Sequence, residues 1–338
     1  MRLCVPRELS LAEIFQVAYY WETKILLTAV KLDLFSALSD RAFTTDDLAT
    51  HRHLNVRALT VLMNALVAMR VLRKEEARYS NTGVGQKYLV KSSPEYVGHL
   101  LLLHDAEWAH WTGLEETVRT GRSPVTQHVF ETDPEMGANV LAVLHRIGKE
   151  SGPTLATRLD LQGAKQFLDL GGGAGTNAIA FCQAYPELNA TVFDLPQTLT
   201  LTQKKIQEAN LESRITLLPG NFHADSLGGP YDVVLMSDIL HYQDGETNAA
   251  LVRKVFDHLV GGGRLVLKDR FLDPSCTSPA WTTAFAVHIL VNTECGQCFT
   301  SEEVRGWMNT AGLDPVTEIE PHAIVQGVRP KQEEGGHV

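Results

Sequence analysis

No stretch of this 338-residue sequence approaches the roughly 18 uninterrupted apolar residues of a membrane-crossing helix, which excludes a helical membrane protein. Met1 to Ser10 lacks the apolar core of a signal peptide, so the expected location is cytoplasmic. Cysteine is scarce and odd in number. Cys4, Cys182, Cys276, Cys295 and Cys298 are spread along the chain, which excludes a disulfide framework and suits free thiols in a reducing compartment. Positive charge is in deficit, with 30 Lys and Arg against 40 Asp and Glu, for a formal charge of -10. Such a chain repels phosphate backbones, so nucleic acid is excluded as a bulk partner. Internal repeats and low-complexity blocks are absent, and the polar run 331–338 reads as a flexible tail.

What is present is apolar material for more than one core, 44% of the residues in a length that exceeds one typical domain. From Ser10 to about Leu38 the apolar residues recur at three- and four-residue spacing, the pattern of amphipathic helices. Thr44 and Asn55 supply N-cap chemistry for two further helices, the second running from Val56 to Met69. A hairpin follows, from Val71–Lys74 and Arg78–Thr82 around the turn Glu75-Glu76-Ala77. Helix, helix, hairpin is a winged-helix order. The stretch Asn55–Arg70 carries only Arg57 and Arg70 as cations, so a structural or dimerising role for residues 1–95 is expected over DNA binding. Residues 96–163, with Trp108, Trp111 and a helix from Pro134 to about Arg158, read as a helical linker contributing to an acceptor pocket. From 164 to 330 the texture changes to short apolar runs, at 166–170, 190–193, 215–218, 233–236 and 264–268, alternating with helical stretches. That alternation implies an α/β domain with a parallel sheet between helices.

Phe167-Leu-Asp-Leu-Gly-Gly-Gly-Ala-Gly175 places an apolar strand directly before a glycine-rich turn, with a helix expected to begin near Thr176. Glycines let the backbone bend sharply and approach a ligand closely at a helix N-terminus. Asp169-x-Gly171-x-Gly173-x-Gly175 has methyltransferase spacing, while Gly173-x-Gly175-x-x-Ala178 also satisfies a dinucleotide fingerprint. Asp194, ending the next strand, can accept hydrogen bonds from a ribose in either case. A carboxylate at Asp169 favours the methyl donor, because it repels a pyrophosphate and suits a sulfonium cation. An NAD-dependent oxidoreductase is the competing reading of this loop.

Tyr231–His241 and Val260–Asp269 each run an apolar strand into polar residues, so His241 and Asp269 fall at neighbouring strand ends. Ligands of open α/β sheets bind there. With these motifs, Val192-Phe-Asp-Leu-Pro196, Gly220-Asn-Phe222, Gly261-Gly-Gly-Arg264 and Val291-Asn-Thr-Glu294 the chain resembles, over nearly its whole length, the caffeate and acetylserotonin O-methyltransferase family. That family includes bacterial small-molecule members and a bacteriochlorophyllide C-methyltransferase.

The resemblance implies a Rossmann-like methyltransferase domain behind a mainly α-helical winged-helix dimerisation domain, assembled as a homodimer. It implies S-adenosylmethionine as methyl donor and a small aromatic or polycyclic acceptor carrying a hydroxyl. His241 would then be the general base and Asp269 the carboxylate orienting it, chemistry that an imidazole near neutrality can perform. The donor-binding set would be Asp169, Gly171, Gly173, Gly175, Asp194, Leu195, Asn221, Phe222 and Ser237. Where the family reads His-Asp-Trp this chain has His241-Tyr242-Gln243, and Asn221 stands where an acidic residue often precedes the phenylalanine. A second acidic support is a cysteine near Gly296-Gln297-Cys298, and Glu294 is expected to substitute. Trp108, His145, His288 and Asn292 are candidate acceptor-pocket residues, and no metal site is expected. Carbon methylation, or a decarboxylase or hydroxylase that retains the donor, are the alternative chemistries. Cys295-Gly-Gln-Cys298 lacks the strand and helix of a redox motif and precedes a capping box at Thr300–Glu303.

Overall fold

Ser10 and Glu13 form a reciprocal capping box that opens the first helix of the computed structural model, which describes residues 8–123, 125 and 132–331. Cys4 and residues 332–338 of the expected tail lie outside the described residues. The chain divides into two compact units, 1–108 and 109–338, so the expected linker 96–163 is shared between them.

In the first unit α1 (Leu11–Ala18), α2 (Trp21–Lys31) and α3 (Leu34–Ala37) lead into β1 (Phe43–Thr44). Thr44 accepts the Asp47 N–H to start α4 (Thr45–Arg52), and Asn55 accepts the Ala58 N–H to start α5 (Val56–Ala68). Then come β2 (Leu72–Glu75), β3 (Arg78–Asn81) and α6 (Gly83–Leu89), with the chain reaching 108 along α7 (Gly98–Trp111). The hairpin takes β1 as a third strand, in the order β1-β3-β2. Leu34, Phe35, Leu48, Met63, Leu66 and Tyr79 form the centre of its core. The first helix departs from the pattern of the others: α1 buries none of its residues, and Leu11, Ile14, Phe15 and Val17 are exposed.

The second unit begins with α8 (Leu114–Thr120) and α9 (Pro134–Leu159), then β4 (Gln166–Leu170), α10 (Thr176–Ala184), β5 (Asn189–Asp194) and α11 (Pro196–Glu208). After β6 (Ile215–Pro219) and β7 (Tyr231–Ser237), a short 3-10 turn at Leu240–Tyr242 precedes α12 (Gly245–Asp257) and β8 (Leu259–Lys268). It closes with α13 (Ala280–Asn292), α14 (Ser301–Ala311), β9 (Val316–Glu320) and β10 (Ile324–Val328). Thr300 and Glu303 form the expected capping box of α14.

The seven strands lie in the order β6-β5-β4-β7-β8-β10-β9. The first five are parallel, and β10 and β9 extend the sheet antiparallel, a pair that the apolar-run pattern did not separate from its surroundings. Alternate strand residues face opposite layers. Phe167, Val192, Val233 and Leu235 pack with α9, α10 and α11, whereas Leu168, Leu170, Val234 and Met236 pack with α12 and α14. Burial on both faces explains why these strands read as continuous apolar runs.

Candidate active site

The glycine loop turns because its residues adopt a backbone that side chains resist: Gly171, Gly173 and Gly175 have φ of 68°, 54° and 74°. A Cβ at Gly171 would lie 2.9 Å from Ile239 Cγ2, so the loop abuts the residues leaving β7. Asp194 ties the loop to the next strand end, its Oδ2 accepting the Gly173 N–H at 2.8 Å and its Oδ1 the Leu195 N–H at 2.7 Å. Each carboxylate oxygen has a further lone pair for a ribose hydroxyl.

Above these strand ends is a cavity of about 740 Å³. Of the expected donor-binding residues, Gly171, Gly173, Asp194, Leu195, Asn221, Phe222 and Ser237 line it. Asn221 Oδ1 accepts the His223 N–H at 2.9 Å, leaving the Asn221 amide as a donor group beside the Phe222 ring. Gly175 is the αL N-cap of α10 and shapes the loop from outside the lining. A nucleoside fits this donor set: a carboxylate for a diol, an aromatic ring and amide for a base, and a loop without Cβ atoms for close approach.

Asp169 is placed differently from the expectation that its charge faces the donor. It lies under the loop, 1% exposed, with Oδ2 accepting the Ala178 N–H of α10 at 3.1 Å. Burial pushes its carboxyl up to about 7, against the pull of the Ala178 N–H. The side chain is thus a buried brace between loop and helix, because the turn that opens the cavity folds over it.

His241 and Asp269 are brought together. His241 Nδ1 lies 2.8 Å from Asp269 Oδ1, both residues being buried. The Asp269 oxygens also accept the Leu240 and Arg270 N–H groups, at 3.1 and 2.8 Å. With a carboxylate as partner, the proton sits on Nδ1 and Nε2 carries the lone pair. Asn248 of α12 donates to the Leu240 carbonyl at 2.9 Å and so holds the turn that carries the histidine. Glu294 is joined to this pair by no hydrogen bond or ion pair among the described residues. It is exposed after the end of α13, where Asn292 and Thr293 occupy the buried positions. Cys298 comes nearer: burial, then the charge of Asp269, pushes its thiol up to about 12, so it stays protonated.

The His241 ring meets Phe285 edge to face, with centroids 5.1 Å apart. Along the same face of α13, Trp281 stacks on Phe285 and Phe285 on His288, at 5.2 and 5.7 Å. Asn292 follows one turn later, its Oδ1 2.6 Å from His110 Nδ1 and its Nδ2 3.1 Å from His288 Nδ1. Of these residues His288 and Asn292 were read from the sequence, but His110 lies 182 residues from Asn292 and carried no local signal. His145 lines the cavity on the loop side, with Nδ1 2.8 Å from Thr176 Oγ1. Burial, helped by Lys205 and Lys149, lowers it to about 4, so it is neutral near pH 7. Trp108 belongs to the first unit, where its ring packs against Tyr20 beneath the Lys24 ammonium.

Residues 111–314 match the O-methyltransferase domain family, and residues 15–91 the O-methyltransferase dimerisation domain family. The 3-hydroxy-5-methyl-1-naphthoate 3-O-methyltransferase of Streptomyces sahachiroi is 29% identical over 320 residues, 91% of this chain and 92% of that protein. The N,N-dimethyltransferase OxyT of Streptomyces rimosus is 30% identical over 303 residues, covering 87% and 88%. The S-adenosyl-L-methionine-dependent methyl transferase PigF of a Serratia strain is 25% identical over 335 residues, covering 95% and 96%. A solved structure of PigF with SAH superposes with a TM-score of 0.87 over 95% of this chain and 100% of that one.

Proposed function

This chain belongs to the O-methyltransferase family, and we propose that His241 is the base of its S-adenosylmethionine-dependent transfer to a hydroxyl of a small aromatic or polycyclic acceptor. The hydrogen bond from His241 Nδ1 to Asp269, at a strand end beside the donor cavity, is the observation that carries this reading. When bound, the donor supplies a methyl group on a sulfonium, already a strong electrophile. What the chain contributes is position and one proton step. His241 Nε2 takes the hydroxyl proton, and Asp269 stabilises the imidazolium that results. Phe285 backs the ring, and the stacked Trp281–Phe285–His288 row supplies aromatic contact for an acceptor beside it.

Gly171, Gly173, Asp194, Leu195, Asn221, Phe222 and Ser237 would hold the donor, with His288 and Asn292 on the acceptor side. The exposed apolar residues of α1, a helix that runs into the matched dimerisation domain at residue 15, support a homodimer formed through the first unit. Among the described residues no helix is long and apolar enough to cross a membrane, and the four described cysteines are free, which supports the cytoplasmic reading.

Calorimetric titration with S-adenosylmethionine, S-adenosylhomocysteine and NAD tests the donor: the first two should bind and NAD should not. Histidine 241 is then tested with a hydroxylated aromatic acceptor, where His241→Ala should lower kcat roughly a hundredfold to ten-thousandfold with donor affinity kept. Undiminished turnover would remove His241 from the base role and point to a carbon acceptor or to a nitrogen acceptor, the latter being what the likeness to an N,N-dimethyltransferase favours.

A further inference from the structure

The parallel strands present their carboxyl ends in a row, β6, β5, β4, β7 and β8. In that order the row carries Phe222, Asp194, Gly171, Ser237 and Lys268, all on the cavity wall. Neighbouring strands are about 4.8 Å apart, so β5 and β7 are separated by roughly 10 Å. A nucleoside with its base at Phe222 and its ribose at Asp194 therefore sends its 5′ substituent over β4 and β7.

Lys268 stands at that end of the row. Its Nζ donates to Asp238 Oδ2 at 2.5 Å and to Ser237 Oγ at 3.3 Å, so the ammonium reaches back over β7. An ammonium has three N–H donors, and these contacts use two. Asp238 also receives Arg270 Nη1 on its other oxygen at 2.8 Å. One carboxylate thus answers two cations, and of the two Lys268 is the one on the cavity wall. Burial alone would push the Asp238 carboxyl up, but Lys268 and Arg270 hold it below its ordinary value. Arg270 is fixed independently, its guanidinium lying over the Trp281 and Phe285 rings at 5.1 and 4.7 Å. Asp238 consequently keeps a cationic partner when Lys268 turns to a ligand.

We propose that Lys268 binds the carboxylate at the amino-acid end of the methyl donor, with Asp238 holding the ammonium over β7 and Arg270 holding Asp238. The assignment rests on the donor reading given above. It makes Lys268 a donor-binding residue supplied by β8, beside the strand end where Ser237 has no charge of its own.

The test is calorimetry on the full chain with S-adenosylhomocysteine and with 5′-methylthioadenosine, which shares the nucleoside and sulfur but lacks the amino-acid end. Lys268→Met should weaken S-adenosylhomocysteine roughly tenfold to a hundredfold, leave methylthioadenosine essentially unchanged, and be largely rescued by Lys268→Arg. Equal weakening of both ligands would reduce Lys268 to a support of the cavity wall and overturn the proposal. Unchanged binding of S-adenosylhomocysteine would overturn it too, and a raised acceptor KM in that variant would assign the anion to the acceptor. Failure of the unsubstituted protein to bind either compound would defeat the donor reading itself, and this assignment with it.

Discussion

Asp169 carries the site's least expected electrostatics at the scale of single residues. The acidic residue before the glycines was legible as part of a motif, but its position beneath the loop was not, because only the folded turn decides which side of the backbone its carboxyl occupies. Its folded-state carboxyl titrates near 7 rather than at the ordinary 3.8. The unfolded chain therefore loses this proton first as pH rises, so stability falls from about pH 4 and the loss is complete above about pH 7. Asp169→Asn keeps an oxygen for the Ala178 N–H and has no proton to lose. Its stability advantage over the parent should grow across that window, by on the order of a few kcal/mol, when denaturant midpoints are compared at pH 5 and pH 8. A constant difference between the two would refute the buried-acid account. His241 and Asp269, by contrast, were legible as strand-end residues, and folding placed them within one hydrogen bond of each other.

Among the elements, the loop between β4 and α10 and the face of α13 control the two sides of the proposed reaction. Gly171→Ala forces a methyl group into a left-handed backbone at φ 68° and toward Ile239 at 2.9 Å. The backbone cost alone is about 1–2 kcal/mol, and donor affinity measured by calorimetry should fall with it. Unaltered affinity and stability would mean that the loop tolerates a Cβ there. On α13, Phe285→Leu removes the ring against which His241 rests while leaving the donor cavity intact, since Phe285 is not on its wall. The expected result is a lower kcat and a higher acceptor KM with unchanged donor binding, and a loss confined to donor binding would contradict it. His288 and Asn292 of α13 were read from the sequence and Trp281 and Phe285 were not, and His110 reaches Asn292 from a segment 182 residues away that no local pattern connects.

For the whole molecule, the exposed apolar residues of α1 are the feature that the single chain does not explain. Replacing Ile14 and Phe15 together with glutamate places charge on that helix without touching either core. If the first unit pairs as proposed, sedimentation should give a dimer for the parent and a monomer for the variant, and an unchanged dimer would remove α1 from the interface. Sequence alone determined the capping residues Thr44, Asn55 and Thr300, the five parallel apolar strands and the glycine turn, because periodicity, caps and turns are local properties of the chain. The tertiary structure decided what sequence separation conceals: Asp169 beneath its loop, Glu294 out in solvent, His110 beside Asn292, and Lys268 and Arg270 meeting on Asp238. Those outcomes depend on which strand ends become neighbours and which side of a turn a side chain takes, and long-range packing alone settles both.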